Sequence, residues 1–363
     1  MIGVDRRLLQ NVDWALIALG IAFAVLSALT LASLHVGRAG GTVAYRQVMW
    51  FGVGMVALVA IASIDYRRLV RMAPLLYLLG LAALVSVFFL GRTVSGARRW
   101  IVIGAVSVQP SELFKLAFVL MAVWVLTSRW AQPIGRATLA LVLAVTGIPF
   151  LLIMKQPDLG TALLLVPVLI ALLVGAGIHL RLLGAVFVAG LAAIPVAWFI
   201  LKDYQRERIL VFLDPFRDPL GTAYNVIQAK IAIGSGQLLG KGITGATQSR
   251  LAFLPERHTD FIFAVFAEMW GFVGCLTLLT CYAIVLLRGF DIAASAREPM
   301  GRLVALGATS MLGAQVLINV GMVTGLLPVV GVPLPLMSYG GTSVLCSLMA
   351  LGLLVSVRMR QFQ

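Results

Sequence analysis

The sequence predicts an all-α, polytopic membrane protein of about ten transmembrane helices, with one long extracytoplasmic loop between helices seven and eight. Three observations carry that expectation. Only 12% of the 363 residues are charged, against about a quarter in soluble domains. Mean hydropathy is +1.03. Apolar runs of about 20 residues, the length that crosses a bilayer, recur along the chain.

The first run, Trp14 to about Leu34, follows Arg6 and Arg7. It exceeds the apolar core of a signal peptide, and a second span follows at once, so it reads as a retained helix. Further runs lie near 46–64, 73–90, 110–127, 137–154, 159–175, 181–201, 259–287, 302–324 and 338–357. No internal repeat and no soluble segment stands out, so 1–363 reads as a single integral membrane domain. The one long interruption is about 202–258.

The net charge of +14 would suit a nucleic-acid binder, but its distribution argues against one. With a cytoplasmic N-terminus, the short inner loops hold Arg67, Arg68, Arg71, Arg129, Arg136, Arg181, Arg288, Arg297 and Arg302 besides the terminal arginines. The short outer loops hold about half as many basic residues, which is the positive-inside pattern. An even number of spans then leaves both termini in the cytoplasm and the long loop outside. Cys275, Cys281 and Cys346 all fall in expected spans and suggest packing, with neither disulfide nor metal spacing. His35, His179 and His258 are too scattered to form a cluster.

The unusual polar residues sit where the even-numbered spans begin. Span four opens with Gln109-Pro110-Ser111-Glu112-Leu113-Phe114-Lys115, and span six after Gln156-Pro157-Asp158-Leu159-Gly160-Thr161. Span eight opens with His258-Thr259-Asp260, and span ten with Ser338-Tyr339-Gly340-Gly341-Thr342. Four helix N-termini thus point unpaired N–H groups at one compartment, and such ends attract anions, diphosphates included. Glu112 and Lys115 are three apart and can pair on one helix face, either for packing or to line a polar cavity near Asp260. Asp158 suits the positive end of a helix dipole. Asp260 invites the same account with Thr259 as N-cap. A carboxylate at the mouth of an apolar span is costly, however, and is either neutralised or used. Asp260 shares a face with Ala264, Ala267, Gly271 and Gly274, small residues that pack closely or leave a groove.

The outer loop carries Arg206, Arg208, Arg217, Lys230, Lys241, Arg250 and Arg257, which are either solvated or available to phosphates. Its segment from Ala223 to Ile233 has the spacing of a short helix lying on the membrane surface. The run Gly234-Ser235-Gly236-Gln237-Leu238-Leu239-Gly240-Lys241-Gly242 fails the Walker pattern and follows no expected strand, so it is no nucleotide site. Gly91 to Trp100 reads as a basic outer loop in which Trp100 is a membrane anchor.

The segments around Trp100, Gln109 to Lys115, Gln156 to Thr161, Phe253 to Phe263 and Gly331 to Gly341 resemble the bacterial SEDS family (shape, elongation, division and sporulation). Leu213-Asp214-Pro215, Asp218 to Gly221, Ile227 to Gly236 and Arg257 resemble its elongation branch. The resemblance implies a ten-helix inner-membrane glycosyltransferase that polymerises lipid II into glycan strands on the outer face. It implies work with a class B penicillin-binding protein, other elongation-complex membrane proteins, and a divalent cation such as Mg2+ or Mn2+ whose ligands are not readable. By position, Asp260 matches the family's essential acid, Glu112, Lys115 and Asp158 its cavity residues, and Trp100 a residue linked to activity. Met269-Trp270 stands where relatives often have Glu-Leu, so any role given to that second acid does not transfer. The implied chemistry inverts an α-linked diphosphate to a β-1,4 glycoside, with Asp260 as base and Arg206, Arg208, Lys115 or the cation supporting the leaving group. A lipid II flippase and a scaffold for the crosslinking enzyme are the alternatives.

Overall fold

The computed structural model describes residues 10–34, 41–94, 97–104, 106–128, 135–200, 203–214, 223–246 and 256–361. Helices α1 (Trp14–Ser33), α2 (Gly41–Ser63), the short α3 (Tyr66–Arg71) and α4 (Ala73–Leu90) lead to three strands, β1 (Arg92–Val94), β2 (Ala97–Ile103) and β3 (Val106–Val108). Then come α5 (Pro110–Thr127), α6 (Arg136–Lys155), α7 (Leu159–Gly175) and α8 (Leu180–Ile200). Within the long interruption lie α9 (Asp203–Leu213), α10 (Tyr224–Ser235) and the single turn α11 (Gly242–Gly245). Helices α12 (Ile262–Ser295), α13 (Pro299–Thr324) and α14 (Gly341–Met359) complete the bundle.

Among the described residues, eight helices are long and apolar enough to cross a membrane: α1, α2, α4, α5, α6, α12, α13 and α14. The 17-residue α7 and the apolar part of α8 are shorter. The protein is therefore an all-α, multi-pass membrane protein. Burial separates its helices into two groups: 83% of the apolar window of α14 is covered by protein, against 22% for α12. Helices α5 and α13 are as enclosed as α14 is, or nearly so, while α1, α2 and α4 turn much of their surface outward.

Three expectations need correction. The basic outer loop is a small antiparallel sheet in the order β1-β2-β3, with Arg92 opposite Trp100 and Ile101 opposite Val108. The eighth span begins at Ile262, so Asp260 stands in the turn before it and Thr259 does not cap it. Thr259 instead bonds back to Glu256 through its hydroxyl.

The third correction concerns the glycine-rich run. Helix α12 breaks at Gly271, whose φ of 63° and ψ of −163° are far from helical. The opened backbone pairs with the turn after α10: Phe272 N donates to Gln237 O (2.8 Å), Val273 N to Leu238 O (3.1 Å), and in return Lys241 N donates to Glu268 O (3.0 Å). Helix α10 therefore packs along α12, and its C-cap Gly236 lies against Ala267, about 7.5 Å past the start of that helix at 1.5 Å per residue. It does not simply lie on the surface. Glycine is required because the two backbones touch: a Cβ on Gly236 would strike Ala267 O, and one on Gly240 would strike Met269 O. The Lys241 ammonium lies 3.6 Å from the fully buried Glu268 carboxylate and completes the junction.

This junction predicts a contrast between two alanine substitutions. Gly240→Ala adds a methyl at φ +79° against backbone and is expected to cost at least ~2 kcal/mol, read as a lowered Tm in detergent. Gly234→Ala meets nothing within 4 Å and is expected to be neutral or to stabilise by up to ~1 kcal/mol through helix propensity.

Candidate active site

Four helix starts meet at one end of the bundle, and hydrogen bonds join them directly. At the start of α5, Gln109 N donates to Thr342 Oγ1 of α14 (3.2 Å). The Gln109 carboxamide donates to Asp158 Oδ2 ahead of α7 (2.9 Å), and Ser111 Oγ donates to the same oxygen (3.1 Å). Tyr339 N, just before α14, donates to His258 O (2.8 Å), and Ser338 Oγ donates to Thr259 O (2.6 Å). The gathering expected from sequence is thus a bonded assembly.

Asp158 is its buried anchor. The residue is 1% exposed and caps α7, with Oδ1 accepting from Thr161 N (3.2 Å). Arg99 reaches it from β2, Nη1 lying 3.6 Å from Oδ1. A cap, two polar partners and a guanidinium account for the buried charge without any call on substrate.

Asp260 is different. Its backbone is fixed, and the residue as a whole is half-buried. The Asn319 carboxamide, fully buried on α13, donates to Asp260 O (2.8 Å) and to Val332 O (2.7 Å). Gly331, at φ +74°, leaves the space beside the carboxylate open, since a Cβ there would sit 3.2 Å from Oδ2. Desolvation is the main influence on the group and raises its pKa from 3.8 to about 6. Glu256 and Asp158 add to the rise, and Arg99 and Arg208 oppose it. The carboxyl is therefore protonated below about pH 6 and available as a base above it.

The other expected residues divide. Lys115 and Glu112 do pair on one face of α5, Nζ to Oε1 at 2.9 Å, and both are buried. Among the described residues, no hydrogen bond or ion pair joins that pair to Asp260. Trp100 stands on β2 opposite Arg92, next to Arg99, where the strand register shifts and the regular alternation of faces is interrupted. The Arg206 guanidinium donates to Trp198 O (2.9 Å) and Phe199 O (3.1 Å) at the end of α8. Arg208 donates to Val329 O (3.3 Å), which brings it to the segment beside Asp260. Arg217 and Arg250 lie outside the described residues.

Sequence reasoning passed over Arg99 as a site residue and did not consider Asn319. A carboxamide within an apolar span, one turn after Gln315, was the available signal for the latter. Among the described residues, no three His, Cys, Asp or Glu side chains converge as a metal site. A protein-only cage for a divalent cation is therefore not formed by them.

The geometry predicts that Asp158 is chiefly structural. Asp158→Ala strands the buried Ser111 hydroxyl, takes a partner from the half-buried Gln109 carboxamide and removes a helix cap, so a loss of about 2–4 kcal/mol is expected in thermal unfolding. Asp158→Asn retains a carbonyl acceptor and is expected to lose clearly less.

The family model described as "Cell cycle protein", covering FtsW, RodA and SpoVE, matches residues 7–363. The chain is 44% identical over 313 residues to peptidoglycan glycosyltransferase MrdB of Escherichia coli (strain K12), covering 86% of this chain and 84% of that one. It is 37% identical over 320 residues to stage V sporulation protein E of Bacillus subtilis (strain 168), covering 86% of each. A solved peptidoglycan synthase complex contains a similar chain, with a TM-score of 0.82, 36% identity, and coverage of 97% of this chain and 99% of that one. The crystal structure of the rod shape determining protein RodA of Thermus thermophilus matches with a TM-score of 0.73 and 32% identity, covering 97% and 98%. A match along almost the whole length, joined to these identities, shows that the chain belongs to the FtsW/RodA/SpoVE family, the SEDS family that its motifs resemble.

Proposed function

We propose that this chain is a peptidoglycan glycosyltransferase that polymerises lipid II into β-1,4 glycan strands at the outer face of the cytoplasmic membrane. The observation that carries the reading is Asp260: a carboxylate with a pKa of about 6, held by its backbone where four membrane helices begin. The names of the relatives, peptidoglycan glycosyltransferase among them, support the same activity. Both termini then lie in the cytoplasm, as the loop arginines favour.

The reaction needs little from the protein beyond a base, a cation and orientation. Asp260 takes the proton from the 4-hydroxyl of the acceptor GlcNAc. That oxygen forms its bond to MurNAc C1 of the lipid-linked donor as the C1–O bond to the diphosphate breaks. The electron pair leaves with polyprenyl diphosphate, and the anomeric centre inverts. General-base help of this kind supplies about 10²–10⁴ in rate. Arg99 and Arg208, the two cations that act on Asp260, are placed to offset charge on the leaving group. Mg2+ or Mn2+, held by one or two carboxylates at this end of the bundle together with the substrate, would offset charge on the diphosphate.

The partner in this reading is a class B penicillin-binding protein that crosslinks the product. The solved assembly with a similar chain, described as coordinating polymerisation and crosslinking, supports such a pairing. Other elongation-complex membrane proteins complete the proposed setting.

The test is strand synthesis from lipid II by the purified protein with its partner, crosslinking being blocked by a β-lactam. Asp260→Asn at equal folded amount is expected to lose at least ~100-fold in rate. Equal strand formation by both proteins would remove Asp260 from the chemistry.

A further inference from the structure

We propose that Asn319 is the positioning residue for Asp260, joining the turn that carries this carboxylate to the segment that walls it. The inference rests on the reading of Asp260 as the base. Both hydrogens of Asn319 Nδ2 are engaged, one by Asp260 O at 2.8 Å and one by Val332 O at 2.7 Å. Turning the carboxamide over would set its oxygen against two carbonyl oxygens, so its orientation is fixed by the partners themselves. The side chain is fully buried, which keeps water from replacing either bond. A second contact joins the same turn to the same segment: Ser338 Oγ donates to Thr259 O at 2.6 Å. Gly331 stands beside Asp260 Oδ2 and, lacking a side chain, leaves it room.

The consequence is control of where the carboxylate sits among its charged neighbours. Glu256 faces it from its own turn, Arg99 from β2, Arg208 from α9 and Asp158 from the start of α7. Without the bridge, Ser338 still ties Thr259 to the segment, but Asp260 itself loses its tie to Val332 and its carboxylate shifts among those groups. Asn319 touches neither substrate nor the reacting atoms. It acts through Asp260 alone.

The experiment measures strand synthesis by the full chain with its β-lactam-blocked partner, per folded protein, as a function of lipid II concentration and pH. Asn319→Ala is expected to lower kcat about tenfold or more, with KM changed by less than about twofold. The acid limb of its rate profile is expected to move by about half a pH unit or more, a change that a lower folded fraction does not produce. Gly331→Ala keeps the bridge but presses a methyl on Asp260 Oδ2, and is expected to move the same limb. Should Asn319→Ala not fold, Asn319→Ser, which keeps one donor, carries both readouts. A wild-type limb together with a rate that merely follows folded amount would overturn the positioning role. Full activity of Asp260→Asn would instead overturn the function reading, and this inference with it.

Discussion

Irregular backbone between membrane helices must find its hydrogen-bond partners within the protein. That constraint governs the segment from Val330 to Gly340, which joins α13 to α14 without regular structure. Its groups are met from several sides: Asn319 at Val332 O, Tyr282 at Pro335 O, Ser27 at Met337 O, and Gln47 at Ser338 O. Its own Ser338 hydroxyl reaches back to Thr259. Satisfying this segment draws α1, α2, α12 and α13 together at one end of the bundle. The turn bearing Asp260 is placed as a result.

The site separates two acids by environment. Asp158 is enclosed and saturated with a cap, two polar donors and Arg99. Asp260 has its carbonyl secured but its carboxylate left to a balance between desolvation and two arginines. Desolvation wins, which is the direction a general base at neutral pH requires. A stronger cation contact would have returned it to an ordinary, weakly basic aspartate.

Much of this was legible in the sequence, because apolar runs announce membrane helices and a polar residue at the edge of such a run stands out. Asp158, Asp260 and the Glu112–Lys115 pair were all found that way. Long-range partners were not: Asp158 and Gln109 are 49 residues apart, and Asn319 and Asp260 are 59 apart. The strands over 92–108 escaped because two of them have three residues and the seven-residue one opens on Ala97-Arg98-Arg99, with a shift of register, and so leaves no clear alternation. The break at Gly271 escaped because glycine inside an apolar run is compatible with an unbroken helix. Its meaning appears only when Gly236 and Gly240 are seen against it.

The central claim is that Asp260 acts as a base whose ionisation is set by burial. The most direct measurement is the pH dependence of kcat/KM for strand synthesis by the partnered, β-lactam-blocked wild-type protein. The account predicts an acid limb of unit slope with its midpoint near pH 6, where Asp260 ionises. A rate that stays level from pH 8 down to about pH 5, falling only near the ordinary aspartate value of about 4, would contradict it.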